Sequence, residues 1–489
     1  MHRRAFLAGA AVAPLASCAG FPRGLGRDLA WIDATETASL IRKGEISAAE
    51  AMDAAIERAE ALNPKLNFLV TPDFDRARTR ARESFSGPFA GAPILIKDLN
   101  DVAGLPTRWG SRSLLNAPPA QATEATAGAV LAAGFNPFGK SATPEYGFLP
   151  TTEPVAFGPT RNPWSLIHSA GGSSGGAAAA TAAGVIPVGH ASDGGGSIRI
   201  PASCCGLFGL KPSRARVIGD KDGPAELSVE LGVTRTVRDA AALLAAMEQT
   251  GAGARHPPVG MVTDPIRRKL RVVFLTKDPL GYAPGGVIQQ GVEETAKLLA
   301  DLGHEVEQAT DWPMDASRFS DDFLALWGSY AARVVAAVSQ HAPPDRLGEL
   351  LEPFTLGLAR SRASLGPGEF DMAMARMGAA VRGYLGWFQR YDVVLTSVLG
   401  HPPTLLGWMG PTVPYDELVE RLRKYVGYTP LNNMAGNPAM SVPLWSNVEN
   451  LPVGMHFAAA PGQERTLLEL AYQLEQARPW ANQRPPVRA

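Results

Sequence analysis

The amino-acid sequence predicts an α/β fold. Short apolar runs that end at polar residues alternate along the chain with segments of helical periodicity, and this alternation is typical of the class. Hydrophobic residues make up 45% of the 489 residues and charged residues 19%, the composition of a soluble protein with a sizeable core. We find no fixed-period repeat and no low-complexity linker. The length alone would suggest roughly three domains of average size, although single α/β domains can be larger than average.

The first two helices are indicated by their end signals. A helix over residues 34–43 should end at Gly44, because glycine commonly follows the last turn of a helix. Ser47 and Glu50 have the spacing of a capping box, which predicts a second helix to about Leu62. An Asn-Pro pair follows, and it is expected to break the chain there.

The remaining elements follow from apolar runs and their flanking residues. The run 93–96 predicts a buried strand that ends at Lys97. The region 310–390 is expected to be helical and polar, and no motif is readable in it. Further helices are expected over 126–133, 176–183 and 464–477, and further strands over 271–276, 304–307 and 391–396.

Charge and cysteine content exclude several classes of protein. The net charge of −1 argues against a nucleic-acid-binding protein, which usually carries a basic excess. Cys18, Cys204 and Cys205 are too few for a disulfide framework, and the last two are adjacent.

The N-terminus has the features of an export signal. Arg3 and Arg4 precede an apolar stretch that is too short to span a bilayer, a pattern that resembles a bacterial twin-arginine signal. The residues before Cys18 resemble a lipoprotein processing box, in which case Cys18 is lipidated and anchors the protein to a membrane. An ordinary signal peptide and a cytoplasmic leader are the alternatives. Residues 1–25 are predicted to be the signal, which places the mature chain outside the cytoplasm.

Three polar segments are candidates for chemistry: residues 97–98, 171–176 and 193–201. Taken alone, each has an ordinary structural explanation. The lysine could reach solvent, the Gly-Ser segment could be a flexible loop, and the three glycines before the serine could form a tight turn. Together they meet the needs of acyl transfer. The three glycines before Ser197 allow backbone N–H groups to converge beside its hydroxyl, which provides a nucleophile and an oxyanion hole.

A serine nucleophile also needs a base. His190 lies seven residues before Ser197, but Lys97 is the better candidate because it follows a buried strand. Burial lowers the pKa of a lysine, and a neutral lysine accepts a proton. Ser-Lys pairs are a known variant of serine hydrolase chemistry.

These segments resemble the signature of the amidase signature family. That signature joins a Gly-Gly-Ser-Ser-Gly-Gly loop to an Asp-x-Gly-Gly-Ser-Ile-Arg-x-Pro loop, and both are present, as is a matching C-terminal stretch around Asn433. The resemblance implies an α/β fold with a large mixed β-sheet covered by helices on both faces. It covers about residues 30 to 480, and it implies that residues 26–489 form a single catalytic domain.

The resemblance also implies a role for each matching residue. Ser197 is the expected nucleophile, Ser173 the bridging serine after a cis peptide bond, and Lys97 the base. Ser174 is expected to hydrogen-bond Ser173 or Lys97. The implied mechanism needs no metal and no cofactor. The expected oxyanion donors are the N–H groups of Gly194, Gly195, Gly196 and Ser197, and Asp193 and Arg199 are expected to hold the loops.

The resemblance is strongest to the 6-aminohexanoate-cyclic-dimer hydrolase subgroup, because His190 to Asp193 depart from the commoner Gly-Thr-Asp form. This predicts hydrolysis of a small linear or cyclic amide. Thr107, Arg108 and Trp109 are candidates for lining the pocket, with Arg108 either binding a carboxylate or lying on the surface. The alternatives are an esterase, an amidotransferase subunit and an inactive lipid-anchored binding protein. A homodimer is implied only at the level of the family.

Overall fold

The computed structural model describes residues 29–489, which form one large mixed sheet and its covering helices. Eleven strands lie in the order β1-β3-β2-β6-β8-β7-β12-β13-β11-β9-β10, and β4 and β5 form a separate pair. The strands are β1 Leu69–Pro72, β2 Pro93–Lys97, β3 Asn136–Ser141, β4 Arg161–Asn162, β5 Ser165–Ser169, β6 Val188–Asp193, β7 Phe208–Lys211, β8 Val229–Thr234, β9 Arg271–Phe274, β10 Glu305–Gln308, β11 Val393–Ser397, β12 Ala439–Ser446 and β13 Pro452–Ala459.

Helices precede, separate and follow these strands. They are α1 Ala34–Lys43, α2 Ala48–Leu66, α3 Phe74–Arg80, α4 Ala125–Ala132, α5 Gly175–Ala182, α6 Arg199–Cys205, α7 Val237–Met247, α8 Gly286–Asp301, α9 Phe319–Ser339, α10 Leu347–Leu350, α11 Pro353–Ala363, α12 Glu369–Gly386, α13 Tyr415–Tyr425, α14 Pro430–Ala435 and α15 Glu464–Ala477. The predicted α/β class with a large mixed sheet is therefore confirmed.

The sheet is mixed because its strands pair in both directions. Strand β2 is parallel to both β3 and β6, and β9 is parallel to β10 and β11. The central strands β8, β7, β12 and β13 pair antiparallel with their neighbours. Because β2 and β6 are parallel neighbours, their carboxyl ends lie at the same edge of the sheet, and this edge carries the candidate site.

The end signals of the first helices are confirmed, but one predicted break is wrong. Gly44 ends α1 in the left-handed conformation, with φ 71°, and Ser47 and Glu50 form the capping box of α2. Helix α2 continues through Pro64 to Leu66 instead of ending near Leu62. The extra turn is stabilised because Leu66 is fully buried. It ends where Asn67 adopts a left-handed conformation and donates its N–H to the Asn63 carbonyl oxygen over 2.8 Å.

The other predicted elements are present, with ends that differ by up to two residues. The strands expected over 271–276 and 391–396 are Arg271–Phe274 and Val393–Ser397, and the helix over 464–477 is confirmed as α15. The region 310–390 is helical as expected, but it also carries two aromatic clusters that face the core.

The predictions for the N-terminus lie outside the described residues. The export signal over residues 1–25 and the lipidated Cys18 therefore remain predictions from the sequence, as does the homodimer. Among residues 29–489, no helix is both long enough and apolar enough to cross a membrane.

Candidate active site

Three segments of the chain meet at the carboxyl edge of β2 and β6. Lys97 is the last residue of β2, Ser173 lies two residues before the start of α5, and Ser197 lies in the connection from β6 to α6. The Lys97 Nζ donates a hydrogen bond of 2.7 Å to the Ser173 Oγ. The peptide bond between Gly172 and Ser173 is cis, as the resemblance implies. The fold thus joins the predicted base to the predicted bridging serine.

Lys97 is completely buried, and its ammonium group has few partners. Besides Ser173, its Nζ contacts the Ser192 Oγ at 2.9 Å. Burial lowers the pKa of Lys97 from 10.5 to about 7, while the charges of Glu230 and Asp193 act in the opposite direction. A large fraction of this lysine is therefore neutral near pH 7, as a base must be.

Ser197 is 9% exposed and borders an apolar cavity. Gly147 borders the same cavity, and a Cβ placed on it would lie 3.3 Å from the Ser173 Oγ. Ser197 thus lines the cavity, and Ser173 lies behind Gly147 of the lining. Within the described chain, the hydroxyl groups of Ser173 and Ser197 form no direct hydrogen bond. The predicted proton relay from Ser197 to Ser173 is therefore not connected in this structure.

The loop that carries Ser197 is held by the Asp193 carboxylate. This carboxylate accepts the N–H of Gly196 at 2.8 Å and that of Ile198 at 3.1 Å. The Gly196 N–H is therefore engaged with Asp193, although it was predicted to face an oxyanion. Within the described residues, no protein acceptor receives the N–H of the other three predicted donors, which are Gly194, Gly195 and Ser197.

Arg199 and three C-terminal side chains fix the position of Asp193. The Arg199 guanidinium lies 2.9 Å from the Asp193 carboxylate, and both groups are fully buried. Burial alone would raise the pKa of Asp193, but the charge and hydrogen bonds of Arg199 hold it well below its usual range. Arg199 also contacts Asn432, Asn433 and His456 over 3.2, 2.7 and 3.0 Å. Asp193 and Arg199 thus hold the loop in this structure.

The hydrogen bond predicted for Ser174 is wrong. Its Oγ donates to the Ser192 carbonyl oxygen over 3.3 Å and reaches neither Ser173 nor Lys97. Ser192 itself binds Lys97 through its hydroxyl group, a role that sequence reasoning missed. Ser192 stands where the commoner family motif has threonine, so a hydroxyl group at this position was the available signal.

His190 does not occupy the position of a general base. Its Nδ1 accepts the backbone N–H of Lys97 over 3.4 Å, and its Nε2 lies 3.1 Å from the Glu230 carboxylate. Within the described chain its ring forms no hydrogen bond with Ser197. Residues 29–489 contain no group of three or more His, Cys, Asp or Glu side chains arranged to hold a metal ion.

The three predicted pocket residues lie elsewhere. The Arg108 guanidinium hydrogen-bonds Thr71 over 3.3 Å, so it faces strand β1 and is not available to a substrate carboxylate. Thr107 accepts a hydrogen bond of 3.0 Å from Lys140. Trp109 is 38% exposed and packs against Tyr146 outside the cavity lining.

The cavity beside Ser197 encloses about 80 Å³ and has an apolar wall. Trp327 in α9 is central, with its ring 5.5 Å from that of Phe323 and 5.8 Å from that of Phe148. The Trp327 indole N–H donates to the Phe148 carbonyl oxygen over 3.1 Å, which fixes the ring. No side chain that lines the cavity is charged. The lining residues are Gly147, Phe148, Leu149, Pro150, Gly195, Ser197, Ile200, Ser320, Phe323, Leu324, Trp327, Phe354, Leu422, Val426 and Pro430.

Comparison with known proteins identifies the family. Residues 50–468 match the model of the Amidase family. A protein named as an amidase, AmiC of Mycobacterium leprae (strain TN), is 41% identical over 453 residues, which cover 92% of this chain and 96% of that protein. The 6-aminohexanoate-cyclic-dimer hydrolase of Pseudomonas sp. (strain NK87) is 35% identical over 487 residues, which cover 93% and 96% of the two chains.

A solved structure supports the same assignment. The structure of 6-aminohexanoate cyclic dimer hydrolase superposes with a TM-score of 0.85 at 31% identity, and the match covers 94% of this chain and 99% of that one. The large mixed sheet and the loops that carry the candidate site lie within residues 50–468, the part that matches the family model. The chain therefore belongs to the amidase signature family and is an amide-cleaving hydrolase.

Proposed function

We propose that this amidase hydrolyses the C–N bond of a small uncharged amide through an acyl-enzyme intermediate on Ser197. The observation that carries the proposal is the buried pair of Lys97 and Ser173, whose Nζ and Oγ lie 2.7 Å apart beside the cavity that Ser197 borders. A neutral lysine and a hydroxyl relay are what a serine nucleophile needs in the absence of histidine.

The proposed reaction has two halves. In the first, the Ser197 Oγ attacks the amide carbonyl carbon while its proton passes through the Ser173 hydroxyl to Lys97. The oxyanion accepts hydrogen bonds from the free N–H groups of Gly194, Gly195 and Ser197, and the C–N bond breaks as the amine takes the proton back. In the second half, water attacks the acyl ester and the same relay returns Ser197 to its starting state. Substrate binding has to bring the Ser197 and Ser173 hydroxyls into contact, as is common for catalytic hydrogen bonds.

The cavity supports a substrate that is small, uncharged and partly apolar. Its wall is built of aromatic and aliphatic side chains, and it offers no charged partner to a carboxylate or an ammonium group. An unpaired charge would lose its hydration on entering such a site. A linear or cyclic amide fits this description, and esters of the same acyl groups would form the same intermediate.

Covalent labelling tests the proposed nucleophile. The chain without residues 1–25 is treated with a fluorophosphonate, and the modified peptide is located by mass mapping. We expect label on Ser197, no label in Ser197→Ala, and unchanged labelling in Ser228→Ala, which alters an exposed serine. Label on a different serine in folded protein would refute the site.

Substrate preference is measured separately. Steady-state rates on matched neutral amides and esters of one apolar acyl group are compared with rates on analogues that carry a carboxylate. Faster hydrolysis of the charged analogues would contradict the proposed substrate class, and activity confined to esters would favour the esterase alternative.

A further inference from the structure

The side of Lys97 opposite Ser173 carries a second set of polar groups. Strands β6 and β8 pair antiparallel, with Ser192 opposite Glu230. Directly opposed residues of an antiparallel pair project from the same face of the sheet. His190 projects from this face too, because it precedes Ser192 by two residues in β6. Because the Ser192 hydroxyl contacts the Lys97 Nζ at 2.9 Å, this face of the β6–β8 ladder lies directly behind the lysine.

His190 links the Lys97 backbone to the Glu230 carboxylate. Its Nδ1 accepts the Lys97 N–H over 3.4 Å, so the ring proton belongs on Nε2, which lies 3.1 Å from a Glu230 oxygen. The other Glu230 oxygen accepts a hydrogen bond of 3.2 Å from the Asn100 amide. The imidazole ring and the Asn100 amide thus contact the two oxygens of the Glu230 carboxylate.

Glu230 differs from the other carboxylates near Lys97. Asp193 is paired with Arg199 at 2.9 Å. Asp98, the residue after Lys97, is paired with Lys140 of the neighbouring strand β3 at 3.3 Å. Within the described chain, no lysine or arginine lies within ion-pair distance of Glu230.

Two more carboxyl groups lie beyond Glu230. Glu124 shares the Asn100 amide with Glu230, and Asp220 is partly buried. Burial raises the pKa of both groups. On helix α2, which packs against β2, the buried cation Arg58 donates to the Val185 carbonyl oxygen over 3.1 Å. Asp193 and Asp98 are thus paired with cations, whereas Glu230, which lies directly opposite Ser192, is not within ion-pair distance of a lysine or arginine of the described chain.

We propose that Glu230, held in place by His190 and Asn100, is a positioning residue that sets the charge state of Lys97 and thereby the pH range of the amidase. The inference rests on the proposed role of Lys97 as the base. Burial lowers the pKa of Lys97, and the Glu230 charge is the largest effect that opposes this change. Without that charge the lysine loses its proton at a lower pH, and it is a weaker base once neutral.

The test is the pH dependence of kcat/KM on a neutral amide. In Glu230→Gln we expect the midpoint of the acid limb to move to lower pH by about one pH unit, the lower end of the change that a nearby opposite charge produces. On the acid limb, the kcat/KM of the variant, taken as a fraction of its own plateau, should then be about tenfold higher than the same fraction for the wild type. Glu230→Asp, which keeps the charge, should restore a midpoint close to that of the wild type.

Glu124→Gln is the matched control, because it removes a carboxyl group that contacts the same Asn100 amide, whereas the charges that oppose the lowered pKa of Lys97 are those of Glu230 and Asp193. Its midpoint should stay near the wild-type value. If Glu230→Gln does not fold, Glu230→Met removes the charge with a side chain of similar length. A lower plateau with an unmoved midpoint in a folded neutral variant would overturn the inference, because a purely structural role predicts that result.

The two proposals fail in different ways. Full activity in Lys97→Ala or Ser197→Ala would refute the proposed function itself. An acid limb that depends on Lys97 but is insensitive to the Glu230 charge would leave the function standing and refute only the role of Glu230.

Discussion

Replacement of Lys97 by methionine should abolish activity and yet stabilise the protein at acidic pH. The pKa of Lys97 falls from 10.5 to about 7 because the group is buried. At about 1.4 kcal/mol per pH unit, this difference costs the folded state about 5 kcal/mol below pH 7. Methionine removes that cost, but it also removes the contacts with Ser173 and Ser192, worth about 3 kcal/mol together. The net stabilisation at pH 6 is then about 2 kcal/mol.

The sign of this effect should reverse with pH. Because the folded-state pKa lies below the unfolded one, the folded protein binds fewer protons between about pH 7 and 10.5, and wild-type stability rises across that window. By pH 9.5 the remaining cost of Lys97 is only about 1 kcal/mol, which is less than the lost contacts. Lys97→Met should therefore be more stable than the wild type at pH 6 and less stable at pH 9.5.

Scanning calorimetry measures this crossover. For a chain of this length, about 1 kcal/mol changes Tm by about 1 °C, so we expect Lys97→Met to melt about 2 °C higher at pH 6 and about 2 °C lower at pH 9.5. Lys221→Met, which alters an exposed lysine, should show a difference that does not change with pH. A Tm difference for Lys97→Met that is equal at both pH values would refute the argument that burial lowers the pKa of this lysine in the folded protein.

Three further predictions concern the cavity, the loop and the lysine. Trp327→Ala should lower kcat/KM for amides with an apolar acyl group by about tenfold, with a smaller loss for acetamide, since burial of an aromatic ring is worth about 1.5–3 kcal/mol; equal losses in steady-state assays would contradict the role of the ring. Arg199→Lys should lower Tm by about 3 °C, because it loses the forked contact with the buried Asp193; an unchanged calorimetric Tm would contradict this. Ser192→Ala should lower kcat by about tenfold with little change in KM, because Lys97 loses one hydrogen-bond partner; an unchanged kcat would exclude a role in holding the lysine.

Local signals were enough to predict most elements of the fold. The Gly44 end signal and the Ser47 capping box act within a few residues, and the structure has both of them. The Asn-Pro pair was misleading because its effect depends on tertiary packing. Burial of Leu66 stabilises one more turn of α2 beyond it. The order of the strands in the sheet depends on pairings between distant segments, and no local signal specifies them.

The motif predicted which segments carry the site, but not their contacts. Lys97 and Ser173 meet across 76 residues, and only the family pattern indicated that they would. Glu230 lies outside the motif, and its approach to His190 follows from the β6–β8 pairing. Trp327 was missed for another reason. An aromatic residue at helical spacing has the same sequence signal whether it packs in the core or lines a cavity.

The long-range anchoring of Arg199 has a consequence for the order in which the enzyme matures. Asn432, Asn433 and His456 are 233 to 257 residues farther along the chain, so they leave the ribosome long after Ser197. A nascent chain halted before residue 430 contains all three proposed reacting side chains but lacks the groups that hold their loop. We expect such a chain to be inert, so that hydrolytic activity begins only when synthesis is nearly complete.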